Sequence, residues 1–118
     1  MNNYEMAEKI IQAVSLVTGC RVAEIKGPDK SRHIAAIRDV AVFLVRRRTN
    51  FSYPALAGFF SNRNHSTLIV CVRREQARLD ANLYRKDGRT QSQWHDDILL
   101  EANKPIVIKV EVTKNARV

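Results

Sequence analysis

Residues 60–68 read FSNRNHSTL, and this stretch decides the fold that the sequence predicts. Asn64 is a residue type that caps helices, and from Leu68 onward apolar residues recur at the spacing of a helical face. The first turn of that helix therefore carries polar side chains, and residues 61–63 form the turn before it. Two helices joined by a tight turn, the second beginning with polar residues, are typical of a helix-turn-helix.

A shorter helix is predicted immediately before this turn. Ser52 is a good N-cap, and Pro54 falls within the first helical turn, where its missing N–H is harmless. Residues 53–60 therefore form a short helix. Its apolar face consists of Leu56, Ala57 and Phe60.

Two longer helices are predicted on the N-terminal side. Apolar residues recur at helical spacing through residues 4–18, and Gly19 stands where a helix usually terminates. A basic loop with Lys30 and Arg32 then leads to the second long helix, which Ser31 can cap. Arg38 lies largely off the apolar stripe of that helix.

The character of the chain changes beyond about residue 80. Residues 94–102 predict a short helix, and residues 106–112 alternate apolar and polar positions in the manner of a β-strand. We therefore divide the chain into a helix-turn-helix domain at residues 1–80 and a C-terminal extension at residues 81–118. The strand lacks a ladder partner in an otherwise helical chain, so it is expected to pair with a second copy, forming a homodimer, or with another protein.

The composition favours a polyanionic partner. The chain has 118 residues, a formal charge of +8 and a pI near 10.0, which fits nucleic acid better than an acidic small molecule. No uncharged apolar run approaches the roughly 20 residues that cross a bilayer, so no membrane association is expected. Cys20 and Cys71 are far apart among apolar neighbours, and the first residues lack a secretion signal, which together predict a reduced, cytoplasmic protein.

No catalytic site, metal site or cofactor is predicted. His65 and Ser66 are adjacent on a helix and point in different directions, and no acid is placed to orient the histidine. The cysteines and histidines show no metal-binding spacing. The four glycines form no phosphate-binding loop. We therefore expect that the chain is not an enzyme.

Residues 11–79 resemble the C-terminal DNA-binding domain, domain IV, of DnaA, the bacterial chromosomal replication initiator. The family signature F-G-G-R-D-H-[ST]-T-V corresponds to residues 60–68, and the family pattern T-N-x-S-x-P corresponds to residues 49–54. Residues 22–25 resemble the family segment that precedes its basic loop. The resemblance implies an all-α helix-turn-helix of the type found in the Trp repressor and DnaA domain IV, and it implies double-stranded DNA as the partner.

The resemblance also implies which side chains read the bases. The family residues that match Asn64, His65 and Ser66 reach base edges in the major groove, and Thr67 matches a hydroxyl beside the bases. Arg63 matches the arginine of the signature. A plain polar helix cap is the alternative explanation of these residues, and the cap and the DNA contact can coexist.

Other matched positions hold the DNA backbone or enter the minor groove. The basic loop that matches Lys30 and Arg32 reaches the minor groove in the family. Arg38 and Arg74 match positions that contact DNA, mostly its phosphates. Such contacts raise affinity for every sequence and make it depend on salt.

The chain departs from the family pattern at several of these positions. Ser61 and Asn62 replace two glycines, and Ala36 replaces an arginine of the basic loop. Asn64 replaces an aspartate, and because an amide both donates and accepts, it suits adenine, so we predict a shifted DNA sequence. Asp39 replaces the usual glutamine and, if it faces the duplex, should repel phosphate and weaken binding.

Two functions remain open from the sequence. The first is a stand-alone, sequence-specific DNA-binding protein without the ATPase domain, from a phage or mobile element, that regulates replication or transcription at the nucleoid. The second is a protein-interaction module that binds the host initiator or another replication protein. The substituted glycines and Asp39 favour the second, whereas the net charge favours the first.

Overall fold

The computed structural model describes residues 2–28, 31–61 and 63–104, which form an all-helical structure, as the sequence predicted. The helices are α1 (Asn3–Thr18), α2 (Val22–Lys26), α3 (Arg32–Arg48), α4 (Tyr53–Phe59), α5 (His65–Ala81) and α6 (Gln91–Ala102). None of these helices is both long and apolar enough to cross a membrane. The strand predicted at residues 106–112, and the homodimer expected through it, lie outside the described residues.

Local hydrogen bonds define the helix ends that the sequence predicted. Gly19 ends α1 in the left-handed conformation, with a φ of 78°. Ser31 caps α3, and Ser52 caps α4. Between them, the buried Thr49 hydroxyl donates to the Val45 carbonyl at 2.7 Å and accepts from the backbone N–H that follows two residues later. These contacts make the connection from α3 to α4 short and well defined.

α3 forms the centre of the molecule and contacts α1, α2, α4 and α5. Its residues 40–45 are all buried, as are Ile10 in α1, Ile25 in α2, Leu56 in α4 and Leu68 in α5. Burial of each large apolar side chain contributes about 1.5–3 kcal/mol relative to exposure. α3 therefore sets the relative positions of the helices that carry the candidate functional side chains.

α6 completes the same core, although the sequence suggested a separate extension from residue 81 onward. Trp94 and Ile98 are 5% and 0% exposed, and α6 packs along α1 and also contacts α5. The short helix expected near residues 94–102 is present in α6. The apolar face of α6 is buried, and α6 packs along α1, so residues 91–102 share the core of the preceding helices.

Candidate nucleic-acid interface

α4 and α5 form the predicted helix-turn-helix, and a left-handed residue makes its turn. Ser61 has a φ of 63°, a conformation that glycine adopts freely and that costs other residues about 1–2 kcal/mol. The preceding Phe60 is fully buried, with its ring centroid 5.3 Å from that of Phe59. The turn is thus anchored by an aromatic side chain and bent at the serine, where the resembling family has a glycine.

The N-cap and the first turn of α5 present four polar side chains to solvent. Asn64, His65, Ser66 and Thr67 are exposed, whereas Leu68 is fully buried behind them. The Asn64 side-chain oxygen accepts the Ser66 backbone N–H at 2.7 Å, which confirms the predicted cap. An amide oxygen has two lone pairs, so the cap leaves Asn64 one acceptor position and both of its N–H donors.

Arg63 joins the helix-turn-helix to the connection between α2 and α3. Its Nη2 donates to the Gly27 carbonyl. The same carbonyl accepts from Arg38 Nη2 at 2.9 Å. Because Gly27 lies shortly before Lys30 in the chain, these two arginines hold the recognition turn close to the start of the basic loop.

Of the two residues predicted in the basic loop, the structure describes one. Lys30 lies outside the described residues, so its expected contact with the minor groove stays a prediction. Arg32 is the first residue of α3 and is exposed. Arg32, which was expected in the loop, lies one residue inside α3, because the Ser31 cap begins the helix directly before it.

Arg38, which the resemblance implied to contact DNA, is buried. The residue is 4% exposed; its Nε donates to the Ile25 carbonyl at 2.7 Å, and its Nη2 donates to the Glu24 carbonyl at 3.0 Å. A cation at the carboxyl end of a helix also interacts favourably with the helix dipole. Since α2 covers this side of α3, Arg38 holds α2 and the following connection in place.

Asp39 is also buried and does not face a duplex. It is 1% exposed, and its carboxylate accepts from Arg74 Nε and Nη2 and from Arg78 Nη1, each at 2.9 Å. Burial by itself would raise the pKa of Asp39, but the hydrogen bonds from these arginines outweigh it and lower the pKa below its usual value. The condition under which Asp39 would repel phosphate is therefore not met.

Arg74 remains a candidate for phosphate contact. Its side chain is 48% exposed, and Asp39 holds its guanidinium through Nε and Nη2. Among the described residues, none accepts from its Nη1. A guanidinium oriented in this bidentate way keeps a donor for a further oxygen, so Asp39 both neutralises Arg74 and restricts where it points.

A buried polar network, which the sequence did not predict, joins α5 to α6. Glu75 is fully buried; its Oε2 lies 2.5 Å from Gln91 Nε2 and 2.6 Å from His95 Nε2, and its Oε1 accepts from Arg78 Nη1 at 3.0 Å. Through Arg78, the network continues to Asp39. The position of Glu75 in the sequence could have indicated this network. Glu75 falls at helical spacing within the apolar face of α5, where a buried charge must have polar partners.

Comparison with known proteins supports the helix-turn-helix assignment. Residues 7–74 match the family model described as bacterial dnaA protein helix-turn-helix. The chain is 36% identical over 77 residues to the chromosomal replication initiator protein DnaA of Wolinella succinogenes, a match that covers 64% of this chain and 18% of the relative. It is 29% identical over 93 residues to DnaA of Pelobacter propionicus, covering 79% and 19% respectively. The chain thus spans less than a fifth of the length of these relatives.

Proposed function

The chain belongs to the family of bacterial DnaA helix-turn-helix domains, which bind DNA, and from this premise we propose that it recognises a specific sequence in double-stranded DNA. The observation that carries the proposal is the exposed polar start of α5, where residues 64–67 project from a helix whose opposite side, at Leu68, is buried. A helix presented in this way can place its first turn in the major groove. The net charge of +8 supplies the attraction to phosphate.

We assign different tasks to the exposed and the buried cations. Arg32 and Arg74 are exposed enough to contact phosphates or the minor groove, and Lys30 precedes Arg32 in the chain. Arg38 and Arg63 instead hold the loop and the turn through Gly27. Contacts to the backbone position the protein, whereas contacts to base edges determine which sequence it prefers.

The base preference is proposed to differ from that of the family because of Asn64. Its amide can donate and accept toward adenine, whereas an aspartate at this position only accepts. The cap to Ser66 uses part of the amide oxygen's capacity and fixes the side chain before DNA arrives. A fixed side chain loses less conformational freedom on binding, which favours discrimination between bases.

We further propose that the protein regulates replication or transcription by occupying its sites. The relatives that it matches are named chromosomal replication initiators, so sites related to those of an initiator are the first to test. Occupation of a site needs no ATP hydrolysis. Binding to chromosomal DNA would place the protein at the nucleoid.

Selection from a pool of random duplexes tests the proposal most directly. We expect one short motif to be enriched and its affinity to fall steeply as salt rises. His65→Ala should relax the preference for that motif, whereas Arg32→Ala should weaken binding to all duplexes and reduce the salt dependence. Lys104→Ala, at the far end of α6, is the matched control and should change neither.

The same selection separates DNA reading from the alternative function. If no motif is enriched and the affinity is equal for all sequences, the proposed base reading by residues 64–67 is wrong. The interaction module would then be the better hypothesis. One of its supports is already weaker, because Asp39 is buried against Arg74 and is not displayed on the surface.

A further inference from the structure

The connection between α5 and α6, here called the α5–α6 turn and comprising residues 83–90, is a closed and hydrogen-bonded element. Tyr84 and Thr90 form an antiparallel bridge, and the Arg85 N–H donates to the Arg89 carbonyl at 2.7 Å. Gly88, with a φ of 88°, allows the reversal between them. The backbone of this turn is therefore well defined before any partner binds.

Side-chain contacts anchor the α5–α6 turn to the core. The Arg85 guanidinium lies 3.4 Å from the centroid of the Trp94 ring, and Trp94 is itself buried. Arg89 donates to Asp87 Oδ2 at 2.7 Å and to Asp97 Oδ2 at 2.6 Å. These two carboxylates neutralise Arg89, so its charge is used within the protein.

The remaining charges of the turn are positive. The carboxylate paired with Arg85 is that of Asp87, at 3.9 Å, and Asp87 is shared with the closer Arg89. Lys86 is exposed, and no described residue forms an ion pair with it. The turn thus presents Lys86 and the edge of Arg85 as cations on a rigid backbone, which suits an anionic partner.

The position of the turn relates these cations to the start of α3. Arg85 and Arg89 line a cleft of about 340 Å³, and His33 and Ala36 of α3 line the same cleft. His33 follows directly after the exposed Arg32. The start of α3 and the α5–α6 turn therefore border the same cleft, which Asp87 also lines. At Ala36 the chain lacks the arginine of the resembling family, and Arg85 supplies a cation to the same cleft from a different helix connection.

We propose that the α5–α6 turn contacts the DNA backbone beside the base pairs that α5 reads, with Lys86 and Arg85 binding phosphates on the side entered by the basic start of α3. This inference rests on the proposed DNA binding and extends the interface beyond the family match, which ends at residue 74. The turn would add phosphate contacts without base contacts. It would therefore lengthen the DNA footprint without changing the motif.

Binding measurements with duplexes of two lengths test this inference. The short duplex contains only the motif obtained by selection, and the long duplexes add flanking base pairs on one side or on the other. Lys86→Ala should weaken binding to one of the long duplexes by about 2- to 5-fold and lower its salt slope by about 0.9, the value expected for one lost phosphate contact. Binding to the short duplex should not change.

The controls distinguish this inference from the proposed function. Lys104→Ala removes an exposed lysine at the opposite end of α6, roughly 18 Å away along a helix of this length, and should leave all duplexes unaffected. Lys86→Glu should enlarge the effect of Lys86→Ala, and thermal unfolding should show that both variants are folded. Lys86 is chosen because Arg85 packs on Trp94 and its loss could disturb the fold.

Three results would overturn the inference or its premise. Unchanged binding of every duplex by both Lys86 variants, while His65→Ala still relaxes the preference, would show that the turn does not touch DNA. Equal weakening of the short and long duplexes would mean a general electrostatic effect without a flanking contact. If the His65→Ala and Arg32→Ala variants keep both the motif preference and the affinity, the proposed function itself is wrong.

Discussion

Replacement of the buried Glu75 by alanine is expected to destabilise the fold by about 3–5 kcal/mol, the range found when one partner of a buried ionic pair is removed. Glu75 is 0% exposed, and its carboxylate contacts Gln91, His95 and Arg78 at 2.5, 2.6 and 3.0 Å. Because these partners lie on α5 and α6, the substitution should loosen the attachment of α6 to the rest of the core.

The magnitude follows from what the three partners lose. Gln91 and His95 are 8% and 6% exposed, so water cannot readily replace the carboxylate. Each buried polar group left without a partner costs about 1–3 kcal/mol. Arg78 retains Asp39 and is partly exposed, so its contribution is small. Two orphaned groups together with the lost packing of the Glu75 side chain account for the expected range.

Urea and thermal unfolding of the whole chain measure this effect. For a domain of this size, each kcal/mol lowers the melting temperature by about 4 °C, so Glu75→Ala should lower it by roughly 12–20 °C. Glu75→Gln is the matched control, because it keeps the volume and one acceptor oxygen. Glu75→Gln should lower the free energy of unfolding by about 1–2 kcal/mol, because one hydrogen bond is weakened.

A compensated variant tests the physical reason behind the loss. Glu75→Leu combined with Gln91→Leu and His95→Phe removes the polar partners along with the carboxylate, and apolar replacement of a buried ionic group is often neutral or stabilising. This triple variant should recover most of the stability lost in Glu75→Ala. A loss of under about 1 kcal/mol for Glu75→Ala, relative to the 3–5 expected, would refute the buried network.

Three further predictions concern the turn, the ion pair and the thiol. Ser61→Gly should raise the free energy of unfolding by about 0.5–1 kcal/mol in urea, because it relieves the left-handed backbone at the cost of a more flexible unfolded chain; an unchanged or lower stability would contradict the conformation at Ser61. Because the pKa of Asp39 is lowered in the folded protein, its ionised carboxylate should contribute stability that is fully present above about pH 4 and is lost as the pH falls through the folded-state pKa. The free energy of unfolding of Asp39→Asn, measured from pH 6 to pH 2, should lack that part of the acid dependence. Burial, followed by the nearby Asp39, raises the pKa of Cys71 to about 12, so its thiol should react with a disulfide reagent at pH 8 only as fast as the protein opens, and fast labelling of the folded protein would contradict this.

The sequence predicted the helices and their ends well because those features depend on neighbouring residues. Gly19 ends α1, and Ser31, Ser52 and Asn64 cap the helices that follow them. Each of these contacts spans only a few residues along the chain. The polar start of α5 followed from the same local pattern, together with the buried Leu68 behind it.

The sequence could not predict where several charged side chains would lie. Arg38 and Asp39 are neighbours on α3, and the sequence did not reveal that α2 covers the first and that α5 pairs with the second. Glu75 was overlooked, although its place in the apolar face of α5 marked it as unusual. In each case the partner lies on another helix, so the burial of the charge depends on how the helices pack.

By itself, the amino-acid sequence determined that this chain contains a helix-turn-helix with a polar, exposed first turn, because capping and apolar periodicity act over three or four residues. Only the tertiary structure decided which of the cations considered for DNA contact stay exposed. Arg32 and Arg74 stay exposed, whereas Arg38 is buried beneath α2. The tertiary structure also made α6 part of the core, because a buried charge such as Glu75 is stable only where folding brings its partners to it.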